Sequence, residues 1–190
     1  MLLDPRTVDH MIDVAVDAAS AGDGALGEVL NRLPAAIYVT DAQGVVTFYN
    51  DACVALAGRV PAPGRDKWCV TWKLFTTEGD FLPHDACPMA VAIRERRPIR
   101  GVEAIAERPD GTKVRFEPYP TPLFDEAGNL AGAVNLLLDV TDRRTRAYFE
   151  DQAARCRRLA KGVGDGKVAE TLLQMAAQYE EQAAKASRPH

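Results

Sequence analysis

The sequence predicts an α+β domain built on an antiparallel sheet and framed by helical segments at both ends. Three observations carry this. Residues 37–50, IYVTDAQGVVTFYN, place two apolar runs around a polar turn, the pattern of a hairpin. Residues 132–144, GAVNLLLDVTDRR, hold an almost unbroken apolar run, which implies a strand buried on both faces. Before and after this block, apolar residues recur at helical rather than alternating spacing.

Taken in order, the first segment has Asp4 as an N-cap, Pro5 in the first helical position, and Val8, Met11, Ile12, Ala15 and Ala19 on one stripe, with Gly22 as a stop. Its stripe must be covered by the main domain or by a second copy, and a dimer contact is the favoured reading. A short helix over 26–33 leads into Pro34. The hairpin strands are expected at 35–40 and 45–50, with Asp41 and Gly44 flanking the turn and Val39, Val46 and Phe48 facing inward. DACVALAG reads as a short helix ending at Gly58, and 59–66, with two prolines and a glycine, as a loop.

Trp68, Trp72, Leu74 and Phe75 form a bulky cluster. Asp85 is placed to cap a helix over about 86–96, with Pro88 in its first turn, Pro98 beyond its end, and Met89, Ala90 and Ile93 on one face. Three strands follow. Val102, Ala104 and Ala106 alternate with Glu103 and Glu107; Val114 and Phe116 alternate with Lys113, Arg115 and Glu117; the last runs from Leu130 to Val140 and should be central. Tyr119, between two prolines, is expected in a turn, and one sheet face is expected to be solvated. Residues 145–161 and 167–184 then carry helical stripes separated by GVGDG, an αα-hairpin.

The chain has 190 residues, 47% apolar and 26% charged, with a net charge of -4. That size can bury a core without a metal or disulfide staple. The acidic balance argues against a nucleic-acid binder, because neutralising phosphates needs a basic face. Cys53, Cys69, Cys87 and Cys156 show no CxxC pairing, which favours reduced thiols in a cytoplasmic protein. No apolar run reaches the ~18 residues of a membrane span, and no leader pattern opens the chain, so no membrane association is expected.

The hairpin, short helices, longer helix and closing meander with its Asp-Val-Thr exit resemble the PAS domain family over about residues 27–144. LPHDACPMAVAIRERRPIRGVEAIAERPDGTKVRF and YPTPLFDEAGNLAGAVNLLLDVTDRR are similar to PAS domains attached to bacterial sensor histidine kinases of the HWE type. ARCRRLAKGVGDGKVAETLLQMAAQYEEQA resembles a helical appendage of alphaproteobacterial proteins. The resemblance implies a five-stranded antiparallel sheet with helices on one face, around a pocket that in some members holds haem, flavin or an organic ligand and in others nothing. It also implies dimerisation through the N-terminal helix. The expected organisation is a helix in 1–25, the PAS domain in 26–144, and a hairpin and tail in 145–190. A kinase phosphoacceptor helix and a Gly-rich ATP lobe are missing, which points to a kinase or regulator as partner rather than to a kinase.

Six residues are expected to line the pocket. Trp68 and Trp72 would wall a planar ligand opposite Met89 and Ile93, with Phe116 and Asn135 from the sheet; core packing is the alternative for the tryptophans. Asn135 interrupts an apolar strand, so its amide must find partners, in a ligand contact or in a strand-edge or loop hydrogen bond. His84 or Cys87 could ligate haem, against a capping or loop role for the histidine and a buried structural thiol for the cysteine. Cys69 in KWCVTW lacks the Asn-Cys-Arg context of LOV flavin chemistry. No catalytic constellation is visible: Glu103, Glu107 and Glu117 fall on an outward strand face, and no nucleotide-binding glycine pattern occurs. The expected protein is a non-enzymatic sensory module that binds a small ligand and relays its state by dimerisation or docking. A ligand-free interaction module and a haem-based redox or gas sensor are the alternatives.

Overall fold

The computed structural model describes residues 5–21, 26–162 and 166–185. One compact unit ends at Asp139 and a second begins at Val140. The proposed caps Asp4 and Gly22, and the centre of the GVGDG turn, lie outside the described residues.

The first unit contains α1 (Pro5–Ala21), α2 (Leu26–Asn31), β1 (Ala36–Asp41), β2 (Val46–Tyr49), α3 (Asp51–Ala57), β3 (Lys73–Phe75), β4 (Phe81–Leu82), α4 (Pro88–Glu95), β5 (Ala104–Glu107), β6 (Lys113–Phe124) and β7 (Leu130–Asp139). All seven strands join one sheet in the order β2-β1-β7-β6-β5-β3-β4, every pair antiparallel. The sheet therefore has seven strands, not five. The added pair, β3 and β4, is a two- to three-residue hairpin at one edge, too short for alternation to reveal. β7 sits between β1 and β6, as its continuous apolar run requires.

Its alternation divides the core in two. Ala133 and Leu137 join Ala36, Tyr38, Met89 and Phe116 on the inner face, beneath α3 and α4. Val134 and Leu136 join Ile37, Val39 and Leu123 on the other face. That second face is not left to solvent: Val8, Met11, Ile12 and Ala15 of α1 and Leu30 of α2 cover it. The amphipathic stripe of α1 is thus satisfied within its own chain, and helices lie on both faces of the sheet. Burying each of the larger side chains stabilises by roughly 1.5–3 kcal/mol.

Asn50 locks this arrangement. It is 1% exposed; its Oδ1 accepts the Ile37 N–H at 2.9 Å, and its Nδ2 donates to the Leu30 and Ala35 carbonyls at 2.9 and 2.8 Å. One amide side chain thereby ties α2, β1 and the start of α3 together. The α3 helix ends at Gly58 with φ of 64°, as expected. Its last carbonyls are met from outside the helix, because Arg108 donates Nε to Leu56 O at 3.0 Å and Nη2 to Ala55 O at 2.9 Å.

Several local readings change. In β2, Val46 and Phe48 do not share a face: Val46 packs in the inner core and Phe48 against the α1 side, and Val39 also faces α1. A register shift between Val39 and Thr40 is the cause, since the extra residue of a bulge reverses the facing beyond it. The α4 helix is capped by Cys87 rather than Asp85, because His84–Ala86 closes a separate 3-10 turn and Pro88 takes the first helical position. Tyr119 is in a strand, not a turn. β6 runs on through Pro118, Pro120 and Pro122, paired with β7 throughout, while β5 accompanies it only as far as Phe116. The Pro120 carbonyl on the open side accepts the Ile99 N–H at 3.3 Å and Arg100 Nη1 at 3.0 Å. Prolines are tolerated on such an unpaired edge, where no ladder donor is needed.

The second unit is an αα-hairpin of α5 (Thr141–Gly162) and α6 (Gly166–Lys185). Ala153, Cys156 and Ala176 form its small core beside Tyr179, whose ring stacks on Phe149 with centroids 6.2 Å apart. No helix among the described residues is long and apolar enough to cross a membrane.

Candidate functional site

The inner face of the sheet brings together most of the residues on which binding was expected to rest, Trp72 excepted, around a tyrosine that the sequence did not single out. Tyr38, at the centre of β1, is fully buried. Its hydroxyl donates to the Trp68 carbonyl at 2.9 Å and accepts Asn135 Nδ2 at 3.0 Å. Asn135 Oδ1 in turn accepts the Tyr119 backbone N–H at 3.0 Å. The amide that interrupts the apolar strand is therefore satisfied at both ends by protein groups. A phenol on a doubly buried strand must find such a partner. Its place among Ala36, Tyr38 and Thr40 on one face was the signal available in sequence.

Three thiols surround this seam. Cys69 Sγ lies 3.1 Å from Thr71 Oγ1, Cys53 Sγ donates to the Ile37 carbonyl at 3.2 Å, and Cys87 Sγ points to the Trp68 carbonyl at 3.7 Å. Burial pushes the Cys53 and Cys87 thiols up to about 12, and raises Cys69 as well. Burial, with the neighbouring Cys69 and Cys87, also raises Tyr38 well above the ordinary phenol value. All four groups are protonated at neutral pH, so the seam is neutral and its hydrogen bonds are not charge-assisted.

Of the six expected lining residues, Met89, Ile93 and Phe116 are buried in this core with 0%, 6% and 2% exposure, and Asn135 stands among them. Trp68 flanks it half-buried. Its ring covers Gly44, where an added Cβ would come within 2.1 Å of the indole, and the Trp68 backbone N–H donates to the Gly44 carbonyl at 2.7 Å. Trp72 is elsewhere: it is 47% exposed, with Lys73 Nζ 4.4 Å from its ring centroid. A spacing of four aligns side chains only in a helix. This segment is irregular, with Trp68 at φ of 69°, so the two tryptophans diverge.

The two haem candidates sit in different surroundings. Cys87 is the N-cap residue of α4, and burial pushes its thiol up to about 12, whereas an axial thiolate is ionised. His84 lies beside Arg59 and Asp66, outside the inner core cluster; burial first, then Arg59, lowers its pKa, and its Nε2 is buried without a hydrogen-bond partner. Among the described residues no three His, Cys, Asp or Glu side chains group closely enough to hold a metal ion. The carboxylates on the other side of β5 are in ion pairs: Glu103 with Arg115 at 3.3 Å, and Glu107 with Lys73 at 3.1 Å and Lys113 at 3.9 Å.

A family model described as PAS fold matches residues 30–145, more than half of the chain. No curated protein matches it in sequence. Among solved structures, the chain is similar to a PAS domain from Colwellia psychrerythraea, with 19% identity over 60% of this chain and 92% of that one and a TM-score of 0.41. It is similar to the Rhodobacter sphaeroides LOV protein at 12% identity, covering 99% of this chain and 100% of that one with a TM-score of 0.45. A third is the LOV domain of a blue-light activated histidine kinase from Erythrobacter litoralis, at 20% identity over 57% and 97% of the two chains, TM-score 0.44.

Proposed function

This chain belongs to the PAS family, and from that premise we propose that it is a non-enzymatic signalling module whose inner core is packed and which acts through its surfaces. One observation carries the reading. The Tyr38–Asn135 pair, the group best placed to hold a ligand, uses its hydrogen-bonding capacity on Trp68 O and Tyr119 N inside the protein. A binding site normally directs some polar groups at the missing ligand. Here Met89, Phe116 and Leu137 close around the pair instead.

The partners in this reading are a second copy of the chain and a sensor kinase or its regulator in a bacterial cytoplasmic two-component system. The resemblance of residues 82–116 and 119–144 to PAS domains of HWE-type kinases supports that partner class. Signal transfer then requires a partner that prefers one arrangement of the module over another, since only differential affinity shifts an equilibrium.

One observation favours a second reading, a small ligand in the core. Thr40 Oγ1, on a residue 2% exposed, has no hydrogen-bond partner. As the buried polar side chains among the described residues, Thr40, Asn50, Thr71 and Asn135, are all uncharged, such a ligand would be neutral. Native mass spectrometry and the absorption spectrum of freshly purified protein separate the two. The packed module gives the polypeptide mass and only aromatic absorption. A bound small molecule or a visible band would replace that reading with the second.

A further inference from the structure

The turn after α4 concentrates positive charge in an acidic chain. Residues 94–100, RERRPIR, hold four arginines, one glutamate and no lysine, while the whole chain carries -4. Arg100 is engaged inside the protein. Its Nη1 donates to the Ile99 and Pro120 carbonyls at 2.9 and 3.0 Å, its Nη2 donates to Thr121 Oγ1 at 2.9 Å, and its guanidinium lies 5.6 Å from the Tyr119 ring centroid. With Ile99 buried beside it, the far end of the turn is fixed to the open edge of β6. Arg94, Arg96 and Arg97 are exposed. Arg94 reaches the Asp85 carbonyl at 3.4 Å, and Arg97 pairs with Glu95 at 2.5 Å. Arg96 has neither a hydrogen bond nor an ion pair among the described residues. It is also the C-cap of α4 in the left-handed region, at φ of 52°, where α3 has Gly58 at φ of 64°. Glycine adopts that conformation without strain, and a residue with a Cβ does not. An arginine held there with no partner of its own weakens the fold and turns a guanidinium outward, and such strain is retained at functional sites.

We propose that Arg94, Arg96 and Arg97 form a docking surface for an acidic segment of a partner protein. The planar guanidinium fork matches a carboxylate with two parallel N–H···O bonds, which a lysine ammonium does not. The anchoring of Arg100 and Ile99 orders the turn in advance, so less freedom is lost on binding. Other anionic partners fit less well. Seven residues span at most ~24 Å, too short a footprint for the roughly 6–10 phosphate contacts that hold a nucleic acid. A lipid surface calls for apolar side chains beside the cations, and Ile99, the large apolar residue of the turn, is 8% exposed and faces inward.

This surface rests on the reading of the chain as a docking module and gives the chemistry of its partner. The probe is a fluorescein-labelled peptide of about ten glutamates, titrated with the full chain and followed by fluorescence anisotropy. Salt at about 10 and about 150 mM takes the screening length from roughly 30 to 8 Å. The expected result is saturable binding at low salt that weakens at high salt. Arg96→Gly should reduce it about two- to fivefold, the range of one exposed ion pair, and Arg94→Gln/Arg96→Gly by about tenfold. Arg65→Gln, which removes the same charge from an exposed arginine elsewhere, should leave it intact. Arg96→Gly should also melt at or above the wild-type temperature, because it relieves the left-handed strain, so its weaker binding does not come from a damaged fold. No binding, an equal loss with Arg65→Gln, or wild-type binding by Arg96→Gly overturns the proposal. An Arg96→Gly chain that melts several degrees lower assigns the side chain to the fold and overturns it too. Tighter binding of a single-stranded oligonucleotide or of phosphatidylserine vesicles through the same arginines replaces the acidic protein with another partner. A ligand in the native mass spectrum overturns the packed core and leaves this surface standing, whereas failure of the peptide leaves the packed core, so the two failures are distinguishable.

Discussion

Asn135 donates to the Tyr38 hydroxyl at 3.0 Å, joining positions 97 residues apart at the centre of the inner face. Replacing Asn135 with Leu leaves the part-buried Tyr119 N–H without its Asn135 acceptor, which should cost about 1–3 kcal/mol. Tyr38→Phe strands the Asn135 amide, leaves the Trp68 carbonyl only its weak Cys87 thiol contact, and should cost a similar amount. In a double-mutant cycle followed by urea unfolding, the two changes should be non-additive by 0.5 kcal/mol or more, roughly the lower limit for contacting residues. Additive losses would show that the pair does not act as one unit.

The buried thiols make stability fall in alkali. The folded-state values of Cys53 and Cys87 are raised to about 12, whereas an unfolded thiol titrates at ~8.5. Below the unfolded value both states hold the proton and the full stability is present. Between about 8.5 and 12 the unfolded chain releases protons that the folded one keeps, so stability is lost as pH rises, by up to about 1.4 kcal/mol per pH unit for each thiol. The melting temperature of the wild type should decline across this window, and that of Cys53→Ala/Cys87→Ala should decline less. Equal declines would place the titrating groups elsewhere.

Gly44 has φ of 79°, and a Cβ there would meet the Trp68 ring at 2.1 Å. Gly111 has φ of 83° with open space around it. Gly111→Ala should therefore cost only the backbone strain, about 1 kcal/mol, and Gly44→Ala clearly more, because the indole must move as well. Indole fluorescence should shift with Gly44→Ala alone. Matching stabilities would mean that Trp68 yields freely.

Met11 is 3% exposed where α1 lies on the sheet. Met11→Ala should destabilise by about 2–5 kcal/mol, the range for a buried methionine that leaves a cavity, whereas Asp13→Ala on the exposed side should be within about 0.5 kcal/mol of wild type. Chemical denaturation of the monomer at low protein concentration reads this directly. A silent Met11→Ala would show that the stripe of α1 is not held by its own sheet.

Much of the fold was legible because burial imposes period on sequence. The run from Leu130 to Val140 located the central strand, Gly58 the end of α3, and the stripes of Phe149 and Tyr179 the hairpin. What misled was local. Tyr119, between Pro118 and Pro120, read as a turn, since a proline normally excludes a paired strand; only the position of β5, which stops at Phe116, frees that edge. The tryptophan pair read as one wall, since four-residue spacing presumes a helix that is not there.

Composition and alternation determined by themselves that this chain folds as an antiparallel α+β domain with amphipathic helices at its ends, because the periodicity of apolar residues is set by the geometry of the elements that bury them. The tertiary structure alone decided what covers the stripe of α1, that Tyr38 is the partner of Asn135, and that Trp72 faces solvent. Such pairings depend on which strands lie side by side and where a bulge or turn redirects a side chain, and contacts between residues a hundred positions apart leave no period in the sequence.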